Sequence, residues 1–252
     1  YIVDEKNIIR PIKYLELTRR GFLVRPNYYS VNMDKVVDSI NVSSSGDYNQ
    51  DSAFKAFDKS VIYSTIEDTY KKYGNGPSLV FAINKEHSIS IRNRLLDMGV
   101  RAVHVEDQTS LDERQKVLHD LETGVIQVIC NVGILTTGVD IRCLKNIFLI
   151  RPTKSIILYV QMIGRGSRPY KNKDAFNVID MGGNYHKHGP VEGLPKAKIK
   201  KNSKGSRTFE ILKKCEKCSV KFNMVAFGKV CPSCNHYHTP EGPELSNKGL
   251  VK

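Results

Sequence analysis

Two short segments of this chain carry residue types suited to phosphate chemistry. Gln161-Met162-Ile163-Gly164-Arg165-Gly166-Ser167-Arg168-Pro169 sets two arginines on either side of a glycine, directly behind an apolar stretch with helical spacing. A guanidinium stays charged at any working pH and presents a rigid fork of donors, so such a pair can hold the charge that spreads over a transferring phosphoryl group. Gly164 and Gly166 permit tight turning and close approach there. Upstream, Leu135-Thr136-Thr137-Gly138-Val139-Asp140-Ile141 exposes a carboxylate at a glycine-bearing turn after a strand-like run. A third constellation pairs cysteines, Cys215-x2-Cys218 and Cys231-x2-Cys234. Each pair closes a knuckle that aims two sulfurs at one point, and two pairs complete a tetrahedral thiolate site for structural zinc. Cys130 and Cys143, in apolar surroundings, read as small buried hydrophobes.

The elements that must position these groups follow from the apolar pattern. Short runs at Leu79 to Ile83, Ala102 to Val105, Ile126 to Cys130, Ile147 to Ile150 and Phe176 to Ile179 suit buried strands. Helical stretches at Lys85 to Met98, Asp112 to Leu121 and Ser155 to Ile163 lie between them, which predicts an α/β fold with a parallel sheet flanked by helices. In such sheets ligands gather at the carboxyl ends of the strands, and both glycine-bearing segments follow strand-like runs. Earlier in the chain the pattern predicts a short helix from Ile12 stopped by Gly21, a strand from Phe22 to Pro26, a polar loop over 43–51 and one helix from Ala53 to Tyr73 ending before Gly74-Asn75-Gly76-Pro77.

Taken with Ser78-Leu79-Val80-Phe81-Ala82-Ile83-Asn84-Lys85-Glu86-His87-Ser88, a buried strand running into a helix, the segments at 135–141 and 161–169 resemble motifs IV, V and VI of a superfamily 2 helicase, in the family's order. Asp180-Met181-Gly182-Gly183-Asn184-Tyr185-His186-Lys187-His188-Gly189 is similar to a stretch that follows motif VI in RadD-like repair helicases. The likeness covers roughly residues 12 to 190 and implies a RecA-like domain, the second of two that close on ATP. It implies that Arg165 and Arg168, with Gln161 beside them, reach toward a triphosphate held by the first domain. Gln161 could as easily cap or space. It assigns Gly138, Asp140 and Gly164 to the nucleotide side and Thr136 or Thr137 to a nucleic-acid phosphate. Many relatives have glutamate where Thr137 stands. Asn84, Lys85 and Ser88 sit where strand meets helix, a natural anion site that the resemblance gives to nucleic acid. Bland readings stand beside these: an arginine paired with a carboxylate between domains, a helix-capping role for Asp140, and a surface or helix position for His87.

A P-loop needs Gly-x-x-x-x-Gly-Lys-Ser/Thr, and no such string occurs in the chain. Asp4-Glu5 imitates an acidic magnesium motif but lacks that context. ATP with magnesium is therefore expected mainly on an N-terminal RecA-like domain outside this sequence, and the isolated chain is expected to be inactive. The formal charge of +13 favours polyanionic partners. Resemblance to RadD-like proteins favours DNA over RNA. No apolar run is long enough for a transmembrane helix and no signal-peptide pattern is present, so the simplest location is cytoplasmic.

The expected organisation is an N-terminal linker and entry elements of the motor domain at 1–76, the RecA-like domain at 77–190, a basic linker at 191–214, a zinc-ribbon-like module at 215–240 and a tail at 241–252. Lys196, Lys198, Lys200, Lys201, Lys204 and Arg207 read either as a solvated linker or as phosphate contacts. In the zinc module Lys221, Lys229, Phe222, Phe227 and Tyr237 suit base stacking or a tiny core. His236 and His238 could replace a thiolate, although four cysteines make that unnecessary, and His186 and His188 alternate in a loop that does not read as a metal site. The leading expectation is the second motor domain of an ATP-dependent DNA helicase or translocase. Its rivals are a non-motor nucleic-acid-binding module on a RecA-like scaffold and the motor subunit of a restriction system.

Overall fold

The apolar runs become strands because both faces of the sheet are covered. In the computed structural model, which describes residues 14–136, 139–194, 197–201, 207–218, 221–223, 233–234, 236 and 250–251, the strands are β1 (Arg25–Val31), β2 (Ser78–Phe81), β3 (Ala102–Val105), β4 (Val128–Asn131), β5 (Asn146–Leu149), β6 (Ala175–Asp180), β7 (Ala197–Lys201), β8 (Arg207–Lys214), β9 (Lys221–Asn223) and β10 (Leu250–Val251). The first six form one parallel sheet in the order β1-β6-β5-β2-β4-β3, with β10 antiparallel beside β1. Strands β7, β8 and β9 form a separate antiparallel sheet.

Helices α1 (Tyr14–Arg19), α2 (Asp34–Asp38), α3 (Gln50–Phe57), α4 (Ser60–Tyr73), α5 (Lys85–Asp97), α6 (Leu111–Glu122), α7 (Ile156–Gly164) and α8 (Asn184–His188) connect them. Alternate residues of the strands serve two cores. Val80, Val128, Cys130, Phe148 and Ile179 pack with Ile62, Ile66 and Tyr70 of α4 and Ile91 and Leu95 of α5. Leu79, Phe81, Ile129, Ile147, Leu149 and Val178 pack with Leu121 of α6 and Tyr159, Met162 and Ile163 of α7. The helix starts are written locally: Asn84 and Ser155 accept from the backbone N–H groups of His87 and Leu158, and Ser110 with Glu113 forms a capping box. Cys130 and Cys143 are buried free thiols, and burial pushes the Cys130 thiol up to about 12.

Four features differ from the sequence expectations. The single helix over 53–73 is two helices. Ala53, Ala56 and Phe57 are the buried residues of α3, whereas α4 buries Ile62, Tyr63, Ile66, Thr69 and Tyr70. Unbroken helical spacing from Phe57 would turn the exposed Ser60, Val61 and Ser64 inward, so a break at Asp58 and Lys59 resets the phase. The strand expected at 22–26 begins at Arg25 and runs through Pro26 to Val31. β10 pairs only with Ser30 and Val31, so Pro26 breaks no bond on that side.

Residues before 77 are integral to the sheet domain: β1 pairs with β6 from Arg25 to Ser30, and Tyr70 of α4 lies 5.9 Å from Phe148 of β5. Within the stretch expected as a linker, Ala197–Lys201 pairs with Arg207–Lys214 in a hairpin. Ile199, Phe209 and Ile211 supply β propensity that a reading by charge alone passes over. Among the described residues no helix is long and apolar enough to cross a membrane.

Candidate functional site

The arginine-bearing segment is placed by the length of α7. This nine-residue helix starts beyond the carboxyl end of the four-residue β5 and runs back along the sheet. At ~1.5 Å per helical residue and ~3.3 Å per strand residue the two lengths match at ~13 Å. Arg165 and Arg168 therefore emerge at the amino edge of the sheet, where Ser167 accepts from the N–H of Val24 at 2.8 Å just before β1 begins. This corrects the expectation that the site follows the carboxyl-end rule. Only the start of motif V, at Ile134–Thr136, lies beyond the carboxyl end of β4; the chain then returns so that Asp140 precedes β5.

At that edge the two motifs meet. Arg168 Nη1 donates to the Val139 carbonyl at 2.7 Å and lies 2.9 Å from Asp140 Oδ1. Arg165 Nη1 donates to the same carbonyl, and Arg142 Nε bonds Asp140 Oδ2 at 2.9 Å. Three guanidiniums thus crowd one carboxylate. Burial acts to raise the Asp140 carboxyl, but bonds from Arg142 and the charges of Arg168 and Arg142 outweigh it and hold it below its ordinary value. Burial, then repulsion from Arg168, lowers the Arg165 guanidinium, with Asp140 opposing. Lys173 adds a fourth cation, buried beneath the cluster.

The glycines divide differently from the sequence reading. A Cβ on Gly166 would stand 2.3 Å from the Phe176 ring, so this position requires glycine; at Gly164 a Cβ meets nothing within 4 Å. Gln161 is half-buried on α7, one turn before Arg165. Thr136 closes a 3-10 turn, and Thr137 and Gly138 lie outside the described residues, as do Asp4, Glu5, Phe227, Lys229, Tyr237 and His238.

Motif IV sits apart, at the carboxyl edge. Asn84 caps α5, Lys85 Nζ pairs with Glu106 Oε1 at 2.5 Å, and Ser88 is fully buried with its hydroxyl 2.7 Å from His104 Nδ1. Ser88 in this position has no surface to offer a nucleic acid. His87 is in α5 but is not a surface residue; it is fully buried beside the rings of Phe54, Phe57 and Tyr63. The same edge holds a polar frame that sequence reading missed. The buried Asp180 carboxylate accepts from the N–H groups of Gly182 and Tyr185 and from Asn184 Nδ2, at 3.1, 2.6 and 2.9 Å. Asn184 Oδ1 accepts from Thr153 N, and Asp47 accepts from Thr153 Oγ1 and Lys154 N. Burial pushes the Asp180 carboxyl up to about 6 against those bonds.

The sulfurs of Cys215, Cys218 and Cys234 lie within 4.8 Å of one another, and Cys215 and Cys234 are 3.7 Å apart. A zinc–sulfur bond of ~2.3 Å gives a tetrahedral edge of ~3.8 Å, so this donor set fits the ion. Cys231 lies outside the described residues.

Comparison with known proteins bears on the same segment. Residues 60–169 match the family described as the helicase conserved C-terminal domain. A 51.5 kDa protein of a Lactococcus phage (isolate 7-9) is 31% identical over 198 residues, which is 76% of this chain and 42% of that protein. The putative ATP-dependent helicase IRC3 of Saccharomyces cerevisiae is 37% identical over 103 residues, 41% of this chain and 15% of that protein. The solved fragment of a putative HsdR subunit of a type I restriction enzyme from Vibrio vulnificus YJ016 superposes with a TM-score of 0.56 at 20% identity, covering 73% of this chain and 38% of that one. That likeness shows the fold, a RecA-like sheet domain. The chain spans less than half the length of these curated relatives. Over residues 60–169 the chain is thus similar to helicase C-terminal domains.

Proposed function

We propose that this chain is the second motor lobe of an ATP-dependent superfamily 2 DNA helicase or translocase, working against a P-loop lobe that holds ATP and magnesium. The observation that carries this reading is the amino-edge cluster, in which Arg142, Arg165 and Arg168 share the single carboxylate of Asp140 on a segment matched to helicase C-terminal domains. A cluster so short of negative charge gains most from an incoming polyphosphate. Arg168 is held on one side by Asp140 and a backbone carbonyl and remains one-third exposed on the other. On closure of the lobes it exchanges solvent for phosphate oxygens, with Arg165 behind it, while Asp140 keeps its guanidinium aimed. The chemistry required is positioning and charge stabilisation, and an arginine supplied this way is worth on the order of three to five decades in rate.

The test is ATP turnover by the intact protein with and without DNA, with RNA as the comparison strand. Arg168→Ala is expected to abolish stimulated turnover and leave DNA binding largely intact. Turnover at the wild-type rate in that variant would end the proposal, as would brisk hydrolysis by residues 1–252 alone. The reading also includes zinc on Cys215, Cys218 and Cys234 with Cys231 as fourth ligand, where it would lock the knuckles together. Elemental analysis should then find one zinc per chain, absent from Cys215→Ser; a metal-free preparation with unchanged thermal stability would remove zinc from the account.

A further inference from the structure

We propose that Lys173 is the positioning residue of the arginine cluster, its ammonium pinning the loop that carries Asp140 to the loop that carries Arg168. The inference rests on the motor-lobe reading above. Lys173 is 7% exposed, and its Nζ donates to the Arg142 carbonyl at 2.9 Å and the Arg168 carbonyl at 3.1 Å. These contacts close a ring. Lys173 holds the backbone of Arg142, whose guanidinium bonds Asp140 Oδ2; Asp140 Oδ1 pairs with Arg168, and the Arg168 carbonyl returns to Lys173. Every other link in the ring is an exposed or partly exposed ion pair, worth little alone in water. Lys173 is the buried link, with the Phe176 ring 5.7 Å from its ammonium.

The local backbone delivers it there. Asn172 has φ 57, the one non-glycine residue with positive φ among the described residues, and Lys173 N donates to the Tyr170 carbonyl at 3.1 Å. Asparagine tolerates this left-handed turn, which points the next side chain inward beneath the two loops. An ammonium offers three donors and no acceptor, so it can hold two carbonyls from distant segments at once. A methionine of similar length would fill the space and hold neither. Among the described residues no carboxylate bonds this ammonium: the groups facing it are the Arg168 guanidinium and the Cys143 thiol, with Glu122 beyond Cys143. Burial first, then Arg168, lowers it to about 8, with Cys143 opposing.

The experiment compares ATP turnover by the intact protein and its Lys173→Met, Lys173→Arg and Arg168→Ala variants across pH 6.5 to 9.5, with DNA at saturation. Lys173→Met is expected to lower kcat about a hundredfold, the scale of a misplaced catalytic group, with KM for ATP little changed. Lys173→Arg should recover most of the rate, because it can still donate to both carbonyls. In the wild type kcat should fall as pH rises through about 8, and in Lys173→Arg that alkaline limb should move beyond the range. A Lys173→Met protein with wild-type kcat and Arg168→Ala inactive would overturn the Lys173 role and leave the arginine reading standing. Turnover surviving in Arg168→Ala would overturn both. Should Lys173→Met fail to fold, Lys173→Arg decides: an alkaline limb still near pH 8 in that variant defeats the proposal.

Discussion

The two edges of one parallel sheet are built on opposite principles. At the amino edge the side chains of Arg142, Asp140 and Arg168 are 63%, 48% and 32% exposed, and cations outnumber the carboxylate. At the carboxyl edge Thr153, Asp180 and Asn184 are essentially inaccessible, and each is engaged by partners within the fold. Under-committed charge at a surface can change partners when a ligand arrives. Saturated polar groups in the interior cannot, but they fix the strand ends against one another. On the proposed motor-lobe reading, this difference gives chemistry to one edge and frame to the other, although both are rich in polar residues.

Substitutions separate the two. The largest effect belongs to Arg168→Ala, expected to cost at least about a thousandfold in stimulated ATP turnover while global stability changes by under about 1 kcal/mol, as for a partly exposed pair; steady-state kinetics beside urea unfolding checks it. At the other edge Asn184→Ala should reverse the pattern. It strips a partner from Thr153 N, from Asp180 and from the Arg151 carbonyl. Leaving buried groups unpaired costs about 1–3 kcal/mol each, so a loss of at least about 3 kcal/mol in urea is expected, with turnover per folded molecule nearly unchanged. Equal losses of rate in both variants would erase the distinction. Gly166→Ala probes the turn that carries the arginines: the added methyl collides with Phe176, and a destabilisation of about 1–3 kcal/mol is expected from overpacking, with a smaller loss of rate as Arg165 and Arg168 shift.

The sheet was legible because buried parallel strands are written as contiguous apolar runs, and each of β2 to β6 lies within a residue or two of its expected place. That Asp140 would face the arginines was expected from the glycine-marked turns that carry them, and Arg168 does lie 2.9 Å from its carboxylate. Other features leave no such trace. Lys173 is one of 39 lysines and arginines, and nothing in its neighbourhood marks it as inward-facing except the preceding Asn172. The Asp47–Thr153 contact joins residues over a hundred positions apart, a pairing only the fold creates. Periodicity gave the helix over 53–73 but not the phase slip at Asp58, because the pattern on either side is helical and only its register changes. The carboxyl-end rule failed for the arginines because the returning helix α7, rather than a strand end, carries them.

The smallest effect tests how tightly the interior near the carboxyl edge is closed to charge. His87 is fully buried, neither ring nitrogen has a hydrogen-bond partner among the described residues, and burial pushes its pKa down to about 4 against the pull of Asp58. Its value in an unfolded chain is the ordinary 6.5, so between 6.5 and 4 the unfolded chain binds the proton and the native protein does not. Stability therefore falls as pH drops through that window. Asp180 works in the opposite sense. Its carboxyl is at about 6 in the fold and 3.8 when free, so between those values the native protein binds the extra proton and gains stability as pH drops. In the wild type the two slopes oppose, and stability should change by less than about 1 kcal/mol from pH 7 to 5.5. His87→Phe removes one slope, leaving stability to rise by about 1 kcal/mol over the same interval, read from urea midpoints at the two pH values. A variant whose stability still falls on acidification would mean that the Asp180 carboxyl is not held up by burial, and the contrast between an open amino edge and a sealed carboxyl edge would lose its physical basis.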